Sequence, residues 1–174
     1  TLLFFESDSN KYEVDTTFKL SIKVSDVTDL FGYSINVDYD EAKLAPFEIT
    51  EGDFLKSAEK ETVFKNTIDS AKGEILVASA LLGKGNGVSG NGVLFTISFK
   101  GKFSGKCYFK FLNSYLKNSS LSDIPFEIND YSIEIYKIDE GPILSVDTTI
   151  LDFGKVNFGD TPSLKFNIIN SGKG

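Results

Sequence analysis

The chain has 174 residues, a formal net charge of −7 and a hydrophobic content of 41%, with 16 Phe and 7 Tyr. Such a length suits one β-sandwich and a further fragment, and the many aromatic residues favour strands over helices. All 18 basic residues are Lys and are scattered among acidic residues. No concentrated basic face is available for nucleic acid or for an anionic membrane surface, so neither is an expected partner.

The sequence lacks His, Met and Trp and has a single Cys. Without His, the commonest general base and a frequent zinc ligand are missing. Cys107 cannot form an internal disulfide, and its strand-like surroundings predict a small, buried core residue. No apolar run is long enough to span a membrane, so membrane insertion is not expected. The lack of Met indicates a segment of a longer protein.

Residues 1–138 contain a succession of short strand patterns separated by turn residues. One plausible helical turn occurs at 52–61, and a glycine-rich loop occurs at 83–92. The predicted strands are 2–6, 17–27, 31–40, 46–50, 62–69, 74–82, 93–100, 106–116 and 131–138. About nine strands with almost no helix predict an all-β, antiparallel sandwich or barrel.

The strand at 31–40 shows the clearest alternation. Phe31, Tyr33, Ile35, Val37 and Tyr39 share one face, while the other face carries small and acidic residues. Successive side chains of a strand point to opposite faces, so this strand should have one buried and one exposed face. The strand at 74–82 is apolar on both faces, which indicates that a partner covers one of them.

The composition changes at residues 139–142, where Gly141-Pro142 interrupts regular structure. We expect 1–138 to form one β-sandwich, 139–142 a linker, and 143–174 the truncated start of an immunoglobulin-like β module. The last segment is too short to close a sandwich of about 100 residues. Its open strand edges predict pairing with a second chain, and hence a dimer through the C-terminal strands.

Two further patterns suggest catalysis or ligand binding, but the sequence favours another explanation for each. Gly85–Gly90 matches a dinucleotide fingerprint, but a strand follows it, whereas the pyrophosphate requires a helix N-terminus. Asp38 and Asp40 lie on one face of a strand, about 7 Å apart. A carboxylate pair could catalyse glycoside hydrolysis or bind calcium with Glu41. These carboxylates are better explained as part of a solvated face that prevents edge-to-edge aggregation, or of a partner-binding face.

The order and spacing of several segments resemble those of a cohesin module. Cohesin modules form a family that occurs in scaffoldins, the scaffolding proteins of cellulosomes. The resemblance covers about residues 2–138, and the segments are 17–27, Leu30-Phe31-Gly32, Tyr39-Asp40 with Leu44, Gly52-Asp53-Phe54-Leu55, 73–75, 88–94 and 97–100. It implies a nine-stranded jelly-roll β-sandwich that is not an enzyme and needs no cofactor of its own. Residues after Gly141 are similar to the start of a bacterial immunoglobulin-like repeat.

The resemblance also implies a function and a site. One flat sheet face would bind a dockerin module, which carries its own calcium, and thereby attach proteins to a scaffold or cell surface outside a prokaryotic cell. The implied partner-binding residues are Gly32, Ser34, Asn36, Asp38, Leu76, Ala78, Ala80, Tyr108, Lys110 and Leu112. The enzyme-receiving class of the family has Asn and Asp where Gly32 and Ser34 stand here. A more apolar docking surface, as in the anchoring class, better fits Leu76 and its neighbours.

Two alternatives remain from the sequence. A carbohydrate-binding sandwich would need exposed aromatic side chains, yet Trp is absent and most Tyr fall on inward positions. An architectural spacer of a surface protein would need no partner.

Overall fold

The computed structural model describes residues 1–138 and 141–172 and divides the chain into two compact units, Thr1–Lys137 and Ile138–Gly174. Asp139 and Glu140 of the predicted linker lie outside the described residues. The first unit contains β1 (Leu2–Glu6), β2 (Lys11–Glu13), β3 (Thr17–Tyr39), β4 (Leu44–Glu51), a 3₁₀ turn (Leu55–Ala58), β5 (Thr62–Asp69), β6 (Glu74–Leu81), β7 (Val88–Gly101), β8 (Gly105–Phe111), β9 (Tyr115–Asn118), β10 (Glu127–Asn129) and β11 (Tyr131–Tyr136).

The long strand β3 belongs to both layers of the sandwich. Its N-terminal half pairs with β1 and β7, and with β10 and β4 these strands form the rear layer. Its C-terminal half pairs with β6 on one side and with β8 and β9 on the other, and β5, β11 and β2 complete the front layer. Most pairs are antiparallel, whereas β1 with β10 and β11 with β2 are parallel.

The bend of β3 between the layers corrects one prediction. The sequence predicted two strands separated by a turn at residues 26–30, but the backbone continues through two register shifts between Val24 and Leu30. Asp26 and Asp29 adopt left-handed conformations there, with φ of 51° and 59°. Their N–H groups donate to Asn91 Oδ1 at 2.7 Å and to Ser89 Oγ at 2.9 Å, partners that are distant in sequence.

Two further boundaries differ from the prediction. β7 begins at Val88, so half of the predicted glycine-rich loop is strand, while the predicted strand at 106–116 is divided into β8 and β9. With the short strands β2 and β10, the first unit has eleven described strands rather than the nine expected. The all-β class and the mainly antiparallel sandwich are confirmed. Among the described residues, no helix is long and apolar enough to cross a membrane.

The core is filled by the alternating apolar residues of both layers. Tyr33, Ile35, Val37 and Tyr39 are buried, as predicted, and Phe31 packs half-buried against them. Aromatic rings continue across the core, because the Phe99 centroid lies 5.7 Å from that of Phe18 and 5.4 Å from those of Tyr39 and Phe109. Such contacts add to the free energy gained by burying each ring.

Cys107 is fully buried, which confirms the core position predicted for it. Burial, with a smaller contribution from Asp40, raises the pKa of its thiol to about 11. The side chain therefore stays protonated and unreactive at neutral pH.

The second unit contains one antiparallel pair, β12 (Leu144–Val146) with β13 (Ile168–Asn170). Asp147 reinforces the pair, since its carboxylate accepts hydrogen bonds from the backbone N–H and the side-chain amide of Asn167 at 3.0 and 2.7 Å. Large apolar side chains of this unit, such as Leu144 and Ile168, are more than 60% exposed.

Candidate functional site

The outward side chains of the front layer form a regular surface, which we call the front face. β3, β6 and β5 pair without a register shift, so these side chains line up across the strands in four rows: Gly32–Ala80–Val63, Ser34–Ala78–Lys65, Asn36–Leu76–Thr67 and Asp38–Glu74–Asp69. Lys117 and Tyr115 of β9 extend the first two rows, and Lys110 of β8 extends the fourth. Successive rows are two residues apart along a strand, so the four rows span about 20 Å.

A shallow apolar groove of about 480 Å³ occupies the first two rows. Its floor contains the small residues Gly32, Ala78 and Ala80, and larger side chains, including Phe31 and Tyr115, stand around it. Small residues flanked by large ones leave a depression on an otherwise flat sheet.

Gly32 keeps the floor of the groove low. A Cβ atom at this position would lie 3.1 Å from both the Ala80 Cβ and the Ser79 carbonyl oxygen. Any side chain at position 32 would therefore push β3 and β6 apart or fill the groove.

Lysines border the groove on both sides. Lys65 of β5 is exposed and lines one side. On the other side, the half-buried Lys117 pairs with the exposed Asp123 at 2.7 Å. Lys60 lies 5.9 Å from the Phe31 ring centroid and donates a hydrogen bond to the Asn86 carbonyl at 3.0 Å. The groove end of the front face is thus apolar with a positive border.

Asn36 lies in the middle of the front face with one unsatisfied atom. Its Nδ2 donates to Glu74 Oε2 at 3.2 Å, and its backbone N–H donates to Ser114 Oγ at 3.3 Å. The side-chain oxygen is buried, and no described residue donates a hydrogen bond to it. The exposed Leu76 and Leu112 flank this residue, because Leu76 lies opposite it and the Leu112 N–H donates to its carbonyl.

The opposite end of the front face is acidic. Asp38 lies between Glu74 and Lys110 in register. Burial raises the pKa of Asp38, Lys110 opposes this, and the negative charges of Glu74 and Glu41 raise it further. Asp40, at the end of the strand, instead pairs with Lys43. The front face therefore changes from positive and apolar at one end to negative at the other.

Leu121 lies in the turn after β9, lines the groove and has an unusual backbone conformation. Its φ is +63°, and its side chain is 72% exposed. Asn118 holds the turn, because its Oδ1 accepts the N–H groups of Ser120 and Ser122 at 3.0 and 2.9 Å and its carbonyl accepts the Leu121 N–H at 2.9 Å. A bulky residue in the left-handed region costs on the order of 1 kcal/mol, and persists only where its surroundings fix it.

Asp29 connects this turn to the bend of β3. One carboxylate oxygen accepts the Gly87 N–H at 2.6 Å, and the other accepts the Ser119 hydroxyl at 2.6 Å and the Ser119 N–H at 3.2 Å. The Ser119 hydroxyl bond, followed by the Gly87 N–H, lowers the pKa of Asp29. Asp29 therefore fixes the base of the turn that carries Leu121.

Glu51 fixes the edge of the front layer. Its side chain is 12% exposed, and it accepts hydrogen bonds from the hydroxyls of Ser79 at 2.8 Å and Thr62 at 3.0 Å. Lys56 lies 3.4 Å from the same carboxylate. The end of β4 in the rear layer is thus joined to β5 and β6 beneath the groove.

The structure brings most of the predicted site residues onto one surface. Gly32, Ser34, Ala78 and Ala80 line the groove. The others occupy the middle and acidic rows, except Tyr108, which lies next to Ser132 of β11. The resemblance also assigns the outward positions of the strand at 62–69 to the docking face without naming residues, and the structure shows these to be Val63, Lys65 and Thr67 of β5. The β9 region was missed, namely Tyr115, Lys117 and Leu121.

The geometry gives no support to dinucleotide binding at the glycine-rich loop or to a calcium site. Gly85–Gly90 leads directly into β7, so no helix follows the glycines. The described residues contain no group of three or more His, Cys, Asp or Glu side chains arranged to hold a metal ion.

Comparison with known proteins gives a consistent result. A family model described as the cohesin domain matches residues 5–135. The second type II cohesin module of the ScaA scaffoldin of Acetivibrio cellulolyticus is 16% identical, with a TM-score of 0.67 over 75% of this chain and 94% of its own. A non-cellulosomal cohesin of the archaeon Archaeoglobus fulgidus is 13% identical, with a TM-score of 0.64 over 77% and 89% of the two chains.

A third solved structure is a type II cohesin–X–dockerin complex from Acetivibrio cellulolyticus. Its matching chain is 14% identical, with a TM-score of 0.64 over 78% of this chain and 98% of that one. No curated protein matches the sequence. The chain belongs to the cohesin domain family, and its first unit has the jelly-roll β-sandwich fold that the resemblance implied.

Proposed function

We propose that this chain is a non-catalytic scaffold module that binds a dockerin through its front face. The observation that carries the proposal is a regular sheet surface with an apolar groove bordered by charge, on a cohesin fold. A solved relative of the same fold is described as a complex with a dockerin.

The carboxylates of the front face suit recognition better than catalysis. Asp40 is engaged by Lys43 and Asp38 lies beside Lys110, so each carboxylate has a cationic neighbour. Two carboxylates that hydrolyse a glycoside need a cleft that holds the sugar between them. The described groove instead lies at the other end of the front face.

The direct test measures binding to recombinant dockerin modules encoded in the same genome, with and without calcium. We expect at least one dockerin to bind by calorimetry and to lose binding when calcium is chelated, because the dockerin fold depends on that ion. If every such dockerin fails to bind the folded chain, the proposed function is wrong.

Two substitutions locate the site. Ala78→Arg and Asn36→Arg place a long charged side chain on the front face and should weaken binding without unfolding the sandwich. Thr50→Arg is the matched control, because Thr50 is exposed on β4 of the rear layer. Unchanged affinity in both front-face variants would place the binding site elsewhere.

Carbohydrate binding is the second candidate, and one observation favours it. Tyr108 and Tyr115 are 52% and 54% exposed in the front layer. Four of the seven Tyr are buried or pack against the core, as expected: Tyr12, Tyr33, Tyr39 and Tyr131. Affinity electrophoresis on plant polysaccharides tests this function. Retardation that disappears in Tyr115→Ala would support it.

Three finer proposals accompany the main one. We place the protein outside the cell or at its surface, where scaffold modules would meet their partners. The second unit is proposed as the start of an immunoglobulin-like module. We also propose that two chains pair through the exposed edges of β12 and β13. Comparing the masses of the full chain and of residues 1–137 in solution tests this, and a monomeric full chain would contradict it.

A further inference from the structure

The outer face of the rear layer carries a concave, polar surface that the proposed function does not use. Two depressions of about 320 and 200 Å³ lie there and share Asp8 and Lys19, and we call them together the rear cleft. Phe47, Glu48 and Ser98 also line the larger depression. Its volume lies at the lower end of the range found for small-molecule sites.

Phe47 gives the rear cleft an exposed aromatic ring. It is 58% exposed, although it is large and apolar. It lies in β4 between Pro46 and Glu48, where the register with β7 shifts. A bulge of this kind redirects a side chain away from the ordinary alternation of the strand. The free face of the ring is therefore available to stack against a ligand.

Hydrogen-bonding groups lie beside this ring. Lys19, Ser98 and Glu48 form one row across β3, β7 and β4, so Lys19 and Glu48 are two strand spacings, or about 10 Å, apart. The buried Ser98 hydroxyl donates to Glu48 Oε2 at 3.3 Å and thereby orients the carboxylate. Among the described residues, neither Lys19 nor Asp8 takes part in an ion pair, so their charges can meet a ligand.

The segment after β1 forms a fixed wall of the rear cleft. The Ser7 hydroxyl donates to the Lys19 carbonyl at 2.6 Å and lies 2.6 Å from the Tyr12 hydroxyl. The Ser9 N–H donates to the same Tyr12 hydroxyl at 2.9 Å. Asp8, between the two serines, is thus held at the cleft before any ligand binds, which lowers the entropic cost of binding.

This combination of groups selects a neutral ligand that is rich in hydroxyls. Ionised carboxylates only accept hydrogen bonds and an ammonium group only donates them, so the ligand must both donate and accept around an apolar face. An anion would be repelled by Asp8 and Glu48, and a cation by Lys19. A pyranose ring has a C–H face that can stack on Phe47, and its hydroxyls can donate to the carboxylates and accept from the lysine.

We propose that the rear cleft is a carbohydrate-binding site for a neutral pyranoside, with one sugar ring stacked on Phe47 and its hydroxyls hydrogen-bonded to Asp8, Glu48 and Lys19. The site is separate from the exposed tyrosines of the front face and does not depend on dockerin binding. A chain with both sites would hold a protein partner on its front layer and a saccharide on its rear layer.

The test titrates the full chain with four neutral disaccharides, namely cellobiose, xylobiose, mannobiose and lactose, at millimolar concentration and follows amide chemical shifts by NMR. At least one should shift the signals of β3, β4 and β7 beside the cleft. Phe47→Ala should weaken this binding about fivefold, because the stacked ring is lost. Glu48→Gln should weaken it about tenfold, because a hydrogen bond to a charged group is lost. Phe103→Ala and Glu61→Gln are the matched controls, since both residues are exposed and lie outside the cleft.

The outcomes distinguish the rear cleft from the front face. Weaker sugar binding by Phe47→Ala or Glu48→Gln, with an unchanged melting temperature and unaffected controls, supports the proposal. If Tyr115→Ala removes sugar binding and the two cleft variants do not, the sugar binds the front face and the proposal is overturned. If none of the four sugars shifts signals at the cleft, it is also overturned, while dockerin binding is unaffected by that result.

Discussion

At the scale of single residues, Asp29 connects three segments of the chain through its hydrogen bonds. It adopts a left-handed conformation within β3, and its carboxylate holds Gly87 and Ser119, which lie 58 and 90 residues further along the chain. One side chain thus fixes the bend between the layers and the turn beside the groove. These hydrogen bonds favour the ionised carboxylate, which is why its pKa is lowered.

The first prediction concerns Asp29→Asn. The lowered pKa means that ionised Asp29 stabilises the folded chain above its ordinary pKa of 3.8 and that this contribution is lost as the pH falls through the lower, folded-state value. Asp29→Asn should therefore reduce the free energy of unfolding at neutral pH, with a difference that shrinks in acid. Urea denaturation at several pH values measures it. Asp26→Asn is the control, because Asp26 has a similar φ and an exposed side chain.

Asp38 gives the opposite prediction. Its raised pKa means that the ionised form is disfavoured in the folded chain, so ionised Asp38 lowers stability at neutral pH. Asp38→Asn should increase the free energy of unfolding at neutral pH, and the gain should disappear below the ordinary pKa of 3.8. An exposed control is Asp8→Asn. A destabilised Asp38→Asn variant would show that the pairing with Lys110 outweighs burial.

At the scale of elements, the front face depends on how β5 and β6 are held. β5 pairs only with β6 among the described strands, so it is an edge strand. Glu51 reinforces that edge from the rear layer through Ser79 and Thr62. Because Lys65 and Val63 of β5 border the groove, the Glu51 contacts stabilise the shape of the binding surface as well as the fold.

Removing the Glu51 carboxylate tests this role. Glu51→Ala leaves the buried Ser79 hydroxyl without its acceptor, and an unsatisfied buried group costs about 1–3 kcal/mol. We expect a loss of this size in urea denaturation, together with faster hydrogen exchange in β5. Glu61→Ala, at an exposed position before β5, is the control. Equal stability of the two variants would contradict the role assigned to Glu51.

The elements also show what the sequence can predict. Strict alternation at residues 31–40 identified the buried face of β3 correctly, because period-two burial is a local property. The continuity of β3 through Asp26 and Asp29 could not be predicted, since the partners of these residues, Asn91 and Ser89, come from a strand far along the chain. Tertiary contacts convert what reads as a turn into a bent strand.

The candidate site shows the same limit. Positions on β3 and β6 followed from alternation and from the resemblance. Leu121 carries no periodic signal, since it lies in a polar turn, and its place beside the groove depends on the remote Asp29. In β9, the buried Leu116 alternates with Tyr115 and Lys117. This pattern is short, and the sequence analysis assigned its start to the end of the predicted strand 106–116.

At the scale of the whole molecule, stability is concentrated in the first unit. Every residue of the buried core cluster lies between Leu3 and Ile135. The second unit exposes large apolar side chains such as Leu144 and Ile168 and has one strand pair. A two-stranded pair alone is marginally stable in water.

Residues 1–137 alone should therefore fold with the cooperativity and unfolding free energy of the main transition of the full chain. The physical reason is that the shortened chain retains the whole core cluster. Urea denaturation and dockerin binding of both forms provide the measurement. A shortened chain that fails to fold, or that loses binding while folded, would contradict this independence.

The parallel pairs of the rear and front layers have a mechanical consequence. β1 lies parallel to β10, and β2 lies parallel to β11, so strands from the start of the first unit adjoin strands from its end. Tension between the two ends of this unit pulls the paired strands past each other, and all the hydrogen bonds of a pair are strained at once. Such shear resists force better than stepwise peeling does. A module that tethers cargo in moving fluid would keep its binding face intact while under load.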